Sequence, residues 1–66
     1  MNVGKSIKVA LAKREMRSGD LAKILGVTPQ TVSTMSGRAT CTGQMLIHLA
    51  QSFDMKVSEF VALGED

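Results

Sequence analysis

Residues 18–37 of the 66-residue chain read SGDLAKILGVTPQTVSTMSG and carry its clearest structural signals. It predicts two short helices joined by a tight turn and packed at close to a right angle. Ala22 is small enough for the helices to approach closely, and Gly26 tolerates the positive φ that the turn requires. Val32 has the branched apolar side chain needed to fill the remaining gap. These three residues are therefore expected to hold the motif together.

Start and stop signals place the ends of both helices. The first of the pair follows Ser18 and is ended by Gly26, since glycine adopts the left-handed conformation after a helix without steric cost. Thr28 is the N-cap of the second, and Pro29 occupies its first position, where a missing N–H costs nothing. This helix is expected to stop at residues 36–37.

Three further helices complete the chain. Apolar residues at helical spacing predict a first helix ending near Met16, with Met16 itself in the core. Residues 37–42 form a polar loop, Thr42 caps a fourth helix, and Ser58-Glu59 opens a short fifth. Strand alternation and hairpin signals are absent. We therefore expect an all-α, compact five-helix domain over residues 1–66. Its apolar stripes comprise Val3, Ile7, Ala10 and Leu11 in the first helix and Leu46, Leu49, Ala50 and Phe53 in the fourth.

The composition narrows the class of protein. A hydrophobic fraction of 44% with 21% charged residues excludes a disordered tail. No apolar run approaches the roughly 20 residues that cross a bilayer, and the start of the chain is amphipathic, so we expect no membrane association, no leader and a cytoplasmic location. Cys41 is a lone cysteine, interpreted as a small filler, and His48 lacks partners at ligand spacing, so no metal or other cofactor is expected.

Charge is distributed unevenly along the chain. Residues 1–38 contain seven basic and two acidic residues, a net charge of +5, whereas residues 39–66 contain one basic and four acidic residues, a net charge of −3. A basic first half favours a polyanionic partner, although solvated helix faces would give the same pattern. No catalytic pair of carboxylates, His–carboxylate or Cys–His set is present, so we expect neither an enzyme nor a small-molecule ligand.

With these elements in register, the chain resembles the phage Cro and lambda-repressor-like helix-turn-helix family over nearly its whole length. The family's small residue, glycine and aliphatic residue stand at Ala22, Gly26 and Val32. The run LIHLAQSFDMKVSEF at residues 46–60 is similar to the family's last two helices. The resemblance implies a DNA-binding domain with the helix-turn-helix at about residues 18–37. Leu11 and Ser36 replace a paired Arg and Glu common in the family, and the stretch before Gly37 is one residue shorter, so the loop after the third helix is where we expect a departure.

The resemblance implies that the third helix, about residues 28–36, reads the major groove of double-stranded DNA. Gln30 is the best candidate for base readout, because its amide can donate to and accept from adenine at once. Ser33 and Thr34 can form single hydrogen bonds, and Pro29 allows only apolar contact. Polar helical residues usually form a solvent face, but the motif favours readout here. The implied phosphate contacts are Arg17, Ser18, Lys23, Thr28, Arg38 and Thr40.

The third helix carries no Arg or Lys, so a single half-site should bind weakly. Specificity of roughly 4–10 kcal/mol over random DNA therefore indicates a homodimer on a two-fold site, with half-sites roughly 34 Å apart. Phe60, Val61 and Leu63 belong either to the core or partly to this interface. The predicted dimer surface consists of Asp54, Met55, Lys56, Val57, Ser58 and Glu59.

The favoured function is a Cro-like transcriptional regulator, because no effector or cleavage domain is expected after the DNA-binding unit. One alternative is an antitoxin or controller protein of the same fold whose main partner is another protein. Another is a protein-interaction bundle that does not bind DNA.

Overall fold

The computed structural model describes residues 1–65, which form five α-helices and no strand. The predicted all-α, five-helix fold is confirmed within this range. The helices pack into a body of 26 × 20 × 19 Å, with α3 against both α1 and α2, α4 against α2 and α5, and α5 against α1. Their bounds are α1 Val3–Lys13, α2 Ser18–Leu25, α3 Pro29–Ser36, α4 Gly43–Ser52 and α5 Val57–Ala62.

One apolar core joins the helices. The rings of Phe53 and Phe60 are buried in this core and stack on each other, with centroids 5.9 Å apart and planes 12° apart. Phe60 is fully buried and so belongs to the core, whereas Val61 and Leu63 are half-buried. Leu46, expected in the core stripe of α4, is also only half-buried. The buried apolar residues are Val3, Ile7, Ala10, Leu11, Leu21, Ala22, Val32, Leu49, Ala50, Phe53 and Phe60.

Helices α1, α2 and α4 end in the same backbone motif. A left-handed residue follows each helix, and the residue after it donates its N–H to a carbonyl five positions back, with N···O distances of 2.9–3.0 Å. Each donor is apolar and packs against the core. The left-handed residues are Glu15, Gly26 and Asp54, and the donors are Met16, Val27 and Met55.

This motif corrects one prediction. The first helix was expected to end near Met16, and it ends at Lys13 because Glu15, with φ 53°, leaves the right-handed region. Met16 lies in the link after the helix, where it closes the turn and packs against the core.

The beginning of α1 holds the loop that follows α3. The N–H groups of Val3 and Gly4 donate to the carbonyl oxygens of Ala39 and Arg38, at 2.9 and 2.8 Å. Gly4 is buried against this loop, and a β-carbon on it would lie 2.7 Å from the Arg38 oxygen and closer still to that of Ser36. Only glycine fits this contact without displacing backbone.

Candidate nucleic-acid interface

The turn between α2 and α3 has the geometry that its sequence predicts. Gly26 has φ 73°, and the N–H of Val27 donates to the carbonyl of Ala22 at 3.0 Å. Ala22 is 1% exposed and Val32 is fully buried where α2 and α3 pack together. A larger side chain at Ala22 would therefore force the two helices apart.

Local hydrogen bonds set the start of α3. The hydroxyl oxygen of Thr28 accepts from the backbone N–H of Thr31 at 3.2 Å, and Pro29 occupies the first helical position, as predicted. The hydroxyls of Thr28 and Thr31 also lie 2.9 Å apart and form a hydrogen bond. These contacts fix the end of α3 whose side chains are expected to approach base edges.

The polar side of α3 projects outward and does not pack against the rest of the protein. All its predicted base-contacting residues are exposed, while Val32 alone in this helix is buried. An uncharged face bearing hydroxyls and an amide is therefore presented to solvent. The exposed residues are Pro29, Gln30, Thr31, Ser33 and Thr34.

The hydrogen-bonding capacity of this face differs from residue to residue. The side chains of Gln30 and Ser33 form no hydrogen bond within residues 1–65, so their donors and acceptors remain available. The Thr34 hydroxyl donates to the carbonyl of Gln30 at 3.0 Å, which leaves its oxygen and methyl group for contacts. Thr31, which was not among the predicted contacts, is also exposed, but its hydroxyl is hydrogen-bonded to that of Thr28.

The predicted phosphate-contacting residues are distributed over α2 and its N-cap, the N-cap of α3 and the loop that follows α3. Arg38 and Thr40 are exposed in the loop after α3 and line one open hollow of about 490 Å³. Thr28 is exposed at the other end, and Lys23 is exposed on α2. At the start of α2, Arg17 is exposed and Ser18 is half-buried. The Asp20 carboxylate accepts the Arg17 backbone N–H at 3.0 Å and so stabilises the first turn of α2.

Cys41 borders the same hollow as Arg38 but is not activated. Partial burial raises the pKa of its thiol, because a thiolate would lose part of its hydration. A raised pKa disfavours the nucleophilic form at neutral pH.

His48 is exposed on α4. Among residues 1–65 no cluster of His, Cys, Asp and Glu has the proximity needed to hold a metal ion.

Residues 54–59, the predicted dimer surface, form the link from α4 into α5. Met55 is half-buried because it closes the turn after α4, and the other five residues are exposed. The Glu59 carboxylate accepts the Lys56 backbone N–H at 3.1 Å, which caps α5. Val57, 36% exposed, is the apolar residue that this segment presents to solvent.

Comparison with known proteins agrees with this geometry. None of the helices in residues 1–65 is both long enough and apolar enough to traverse a bilayer. No curated protein matches the chain. The family model of the Cro/C1-type HTH DNA-binding domain matches residues 6–66, which is nearly the whole sequence. The chain therefore belongs to the Cro/C1-type helix-turn-helix DNA-binding domain family.

Proposed function

We propose that the protein is a sequence-specific transcriptional regulator, a Cro-like repressor, that binds a two-fold operator in double-stranded DNA as a homodimer. It binds with α3 in the major groove and acts without catalysis, in the cytoplasm where the DNA is. The observation that carries this proposal is the exposed, uncharged polar face of α3 with cationic side chains on the flanking elements. Such a face offers hydrogen bonds to base edges, while the cations neutralise phosphates.

Base readout is assigned chiefly to Gln30, whose unengaged amide can pair with the N6 and N7 edge of adenine. Ser33 adds a single hydrogen bond. Thr34 contributes its oxygen as an acceptor and its methyl group to a thymine methyl, since its proton is held by the Gln30 carbonyl. Pro29 offers apolar contact. The proposed phosphate contacts are Arg17, Ser18, Lys23, Thr28, Arg38 and Thr40.

Dimerisation follows from the limited binding energy of one protomer. A good bidentate contact supplies roughly 1–3 kcal/mol of discrimination, and α3 offers about one. Two copies on a two-fold site double this contribution. We assign the interface to residues 54–59, because they carry charges of both signs around Val57 and lie outside α2 and α3.

Selection of bound sequences from random duplex DNA tests the proposal. The expected product is a palindrome whose half-sites are centred about one turn, roughly 34 Å, apart. Enrichment of an isolated half-site would contradict the dimer, and no enrichment over input would contradict sequence reading. A protein partner that co-purifies and replaces DNA binding would instead favour the antitoxin or controller alternative.

A further inference from the structure

The hollow that Arg38 and Thr40 line has an apolar floor. Met35 at the end of α3, Cys41 in the following loop and Met45 in α4 form this floor, and each is half-buried and packs against the core. The volume of the hollow, about 490 Å³, lies within the roughly 300–1,000 Å³ of typical small-molecule sites. Because the three side chains keep part of their surface exposed, an apolar ligand resting on them would leave water and remove that surface from water as well.

The floor is uncharged and adaptable. Methionine has an unbranched, polarizable side chain that adjusts to ligands of different shape. The Cys41 thiol adds no charge, since partial burial raises its pKa and so favours the neutral form. Among the described residues, no carboxylate lines this hollow. The floor therefore suits a flexible hydrocarbon chain.

The rim of the hollow supplies one positive charge. The exposed Arg38 side chain forms no hydrogen bond or ion pair within residues 1–65, and the Thr40 hydroxyl is likewise unengaged there. The backbone N–H of Arg38 donates to the carbonyl of Met35 at 3.1 Å, which ties the rim to the floor. A guanidinium can bind a carboxylate through two parallel hydrogen bonds, and a hydroxyl can donate a third.

An apolar floor beneath a single cation matches one class of ligand. We propose that the hollow binds a small aliphatic carboxylate, with its chain on Met35, Cys41 and Met45 and its head group on Arg38. One cation balances the single charge of a carboxylate, whereas a phosphate monoester would bring up to two negative charges. This ligand departs from the expectation that the protein binds no small molecule. The sequence did not indicate it, because the floor residues come from two helices and a loop.

Occupation of the hollow would regulate the proposed binding of DNA. Arg38 is assigned to a DNA phosphate, and its guanidinium cannot pair fully with a phosphate and a carboxylate at once. The two ligands therefore compete, and by linkage each lowers the affinity of the protein for the other by the same factor. This consequence rests on the proposed function, whereas binding of the carboxylate does not.

Titration with octanoate in the absence of DNA, followed by amide chemical shifts in NMR, tests the site. We expect saturable shifts centred on Met35, Arg38 and Met45. Octanol, which lacks the charge, should bind at least about tenfold more weakly. Each methylene added between hexanoate and octanoate should tighten binding by up to about fourfold. The proposal is overturned if these residues show no saturable shift, or if hexanoate and octanoate bind equally well.

Arg38→Gln removes the cation and should abolish the preference for octanoate over octanol. Arg14→Gln is the matched control, because Arg14 is exposed but lines a different hollow, with Asp54 and Glu59. It removes the same charge and should keep the preference. An equal loss in both variants would mean that octanoate follows the net charge of the protein, and the assigned site would be wrong.

Fluorescence anisotropy with a labelled random-sequence duplex tests the competition, with sodium acetate as the match for ionic strength. Octanoate should weaken duplex binding by the wild type and leave that of Arg38→Gln unchanged. If saturating octanoate does not alter the affinity of the wild type for the duplex, the two ligands do not compete. Wild-type protein that binds no duplex in any buffer would refute the proposed function, while the NMR titration still decides whether the carboxylate site exists.

Discussion

The backbone N–H of Gly4 donates a 2.8 Å hydrogen bond to the carbonyl oxygen of Arg38, joining the first helix to the loop that leaves the third. The two residues are far apart in sequence, yet the contact sets where the Arg38 side chain begins. A feature outside the helix-turn-helix therefore positions a residue proposed to hold DNA.

Gly4→Ala should destabilise the fold, because its new methyl group would collide with backbone oxygens that cannot rotate away. We expect a loss of roughly 1–3 kcal/mol in the free energy of unfolding, measured by urea denaturation followed by circular dichroism. Gly19→Ala is the control, since nothing lies within 4 Å of its β-position in α2. It should instead stabilise the protein by roughly 0.5–1 kcal/mol, and a shared sign for both variants would contradict the steric argument.

The stacked pair Phe53 and Phe60 should behave as a unit in the core. Each Phe→Ala substitution is expected to cost about 3–5 kcal/mol, comparable to the whole stability of so small a domain, so Phe→Leu is the practical change. A double-mutant cycle with Phe53→Leu and Phe60→Leu should give a coupling of about 0.5–1.5 kcal/mol from the ring contact. Strictly additive losses would mean that the stacking contributes nothing beyond burial.

Gln30→Ala should weaken binding to the selected operator by at least about 1 kcal/mol and leave binding to random duplex nearly unchanged. The reason is that the Gln30 amide is proposed to contact a base and not the DNA backbone. Arg38→Ala should give the opposite pattern, with weaker binding to all duplexes and a smaller salt slope. Anisotropy titrations on both DNAs distinguish the two cases. Equal weakening by Gln30→Ala on operator and random duplex would remove it from the readout set.

Val57→Asp should weaken self-association without harming the fold. A carboxylate is favourable in the first turn of α5, whereas two copies facing each other across a two-fold axis repel and lose apolar contact. We expect at least about a tenfold higher dimer dissociation constant, about 1.4 kcal/mol, in sedimentation equilibrium. Gln44→Asp adds the same charge to the first turn of α4 and should leave the constant unchanged. If Val57→Asp also left it unchanged, the interface would lie elsewhere.

Structure that is set by neighbouring residues was predictable from the sequence. Thr28 and Thr42 were assigned as N-caps, and both accept the backbone N–H three residues on, at 3.2 Å. The turn at Gly26 was likewise predictable, because glycine adopts positive φ without steric cost. These local signals, together with the spacing of apolar residues, were sufficient to predict that five helices form and that the polar side of α3 faces outward.

Structure that depends on tertiary packing was less predictable. Glu15 and Asp54 adopt positive φ without being glycine, supported by the hydrogen bonds and partial burial of Met16 and Met55. No residue type marks such an ending, so the end of α1 was misplaced. Gly4 is similar: in sequence it resembles only a poor helix former, and its role depends on the loop after α3.

Because the side chains of Gln30 and Ser33 support no other part of the described fold, the proposed recognition face can be exchanged without rebuilding the protein. Under the proposed mode of binding, a change of operator would take new side chains at these positions, acquired one substitution at a time. The stability of the fold would then stay constant while the preferred DNA sequence changes. A regulator of this kind could therefore evolve new binding preferences easily.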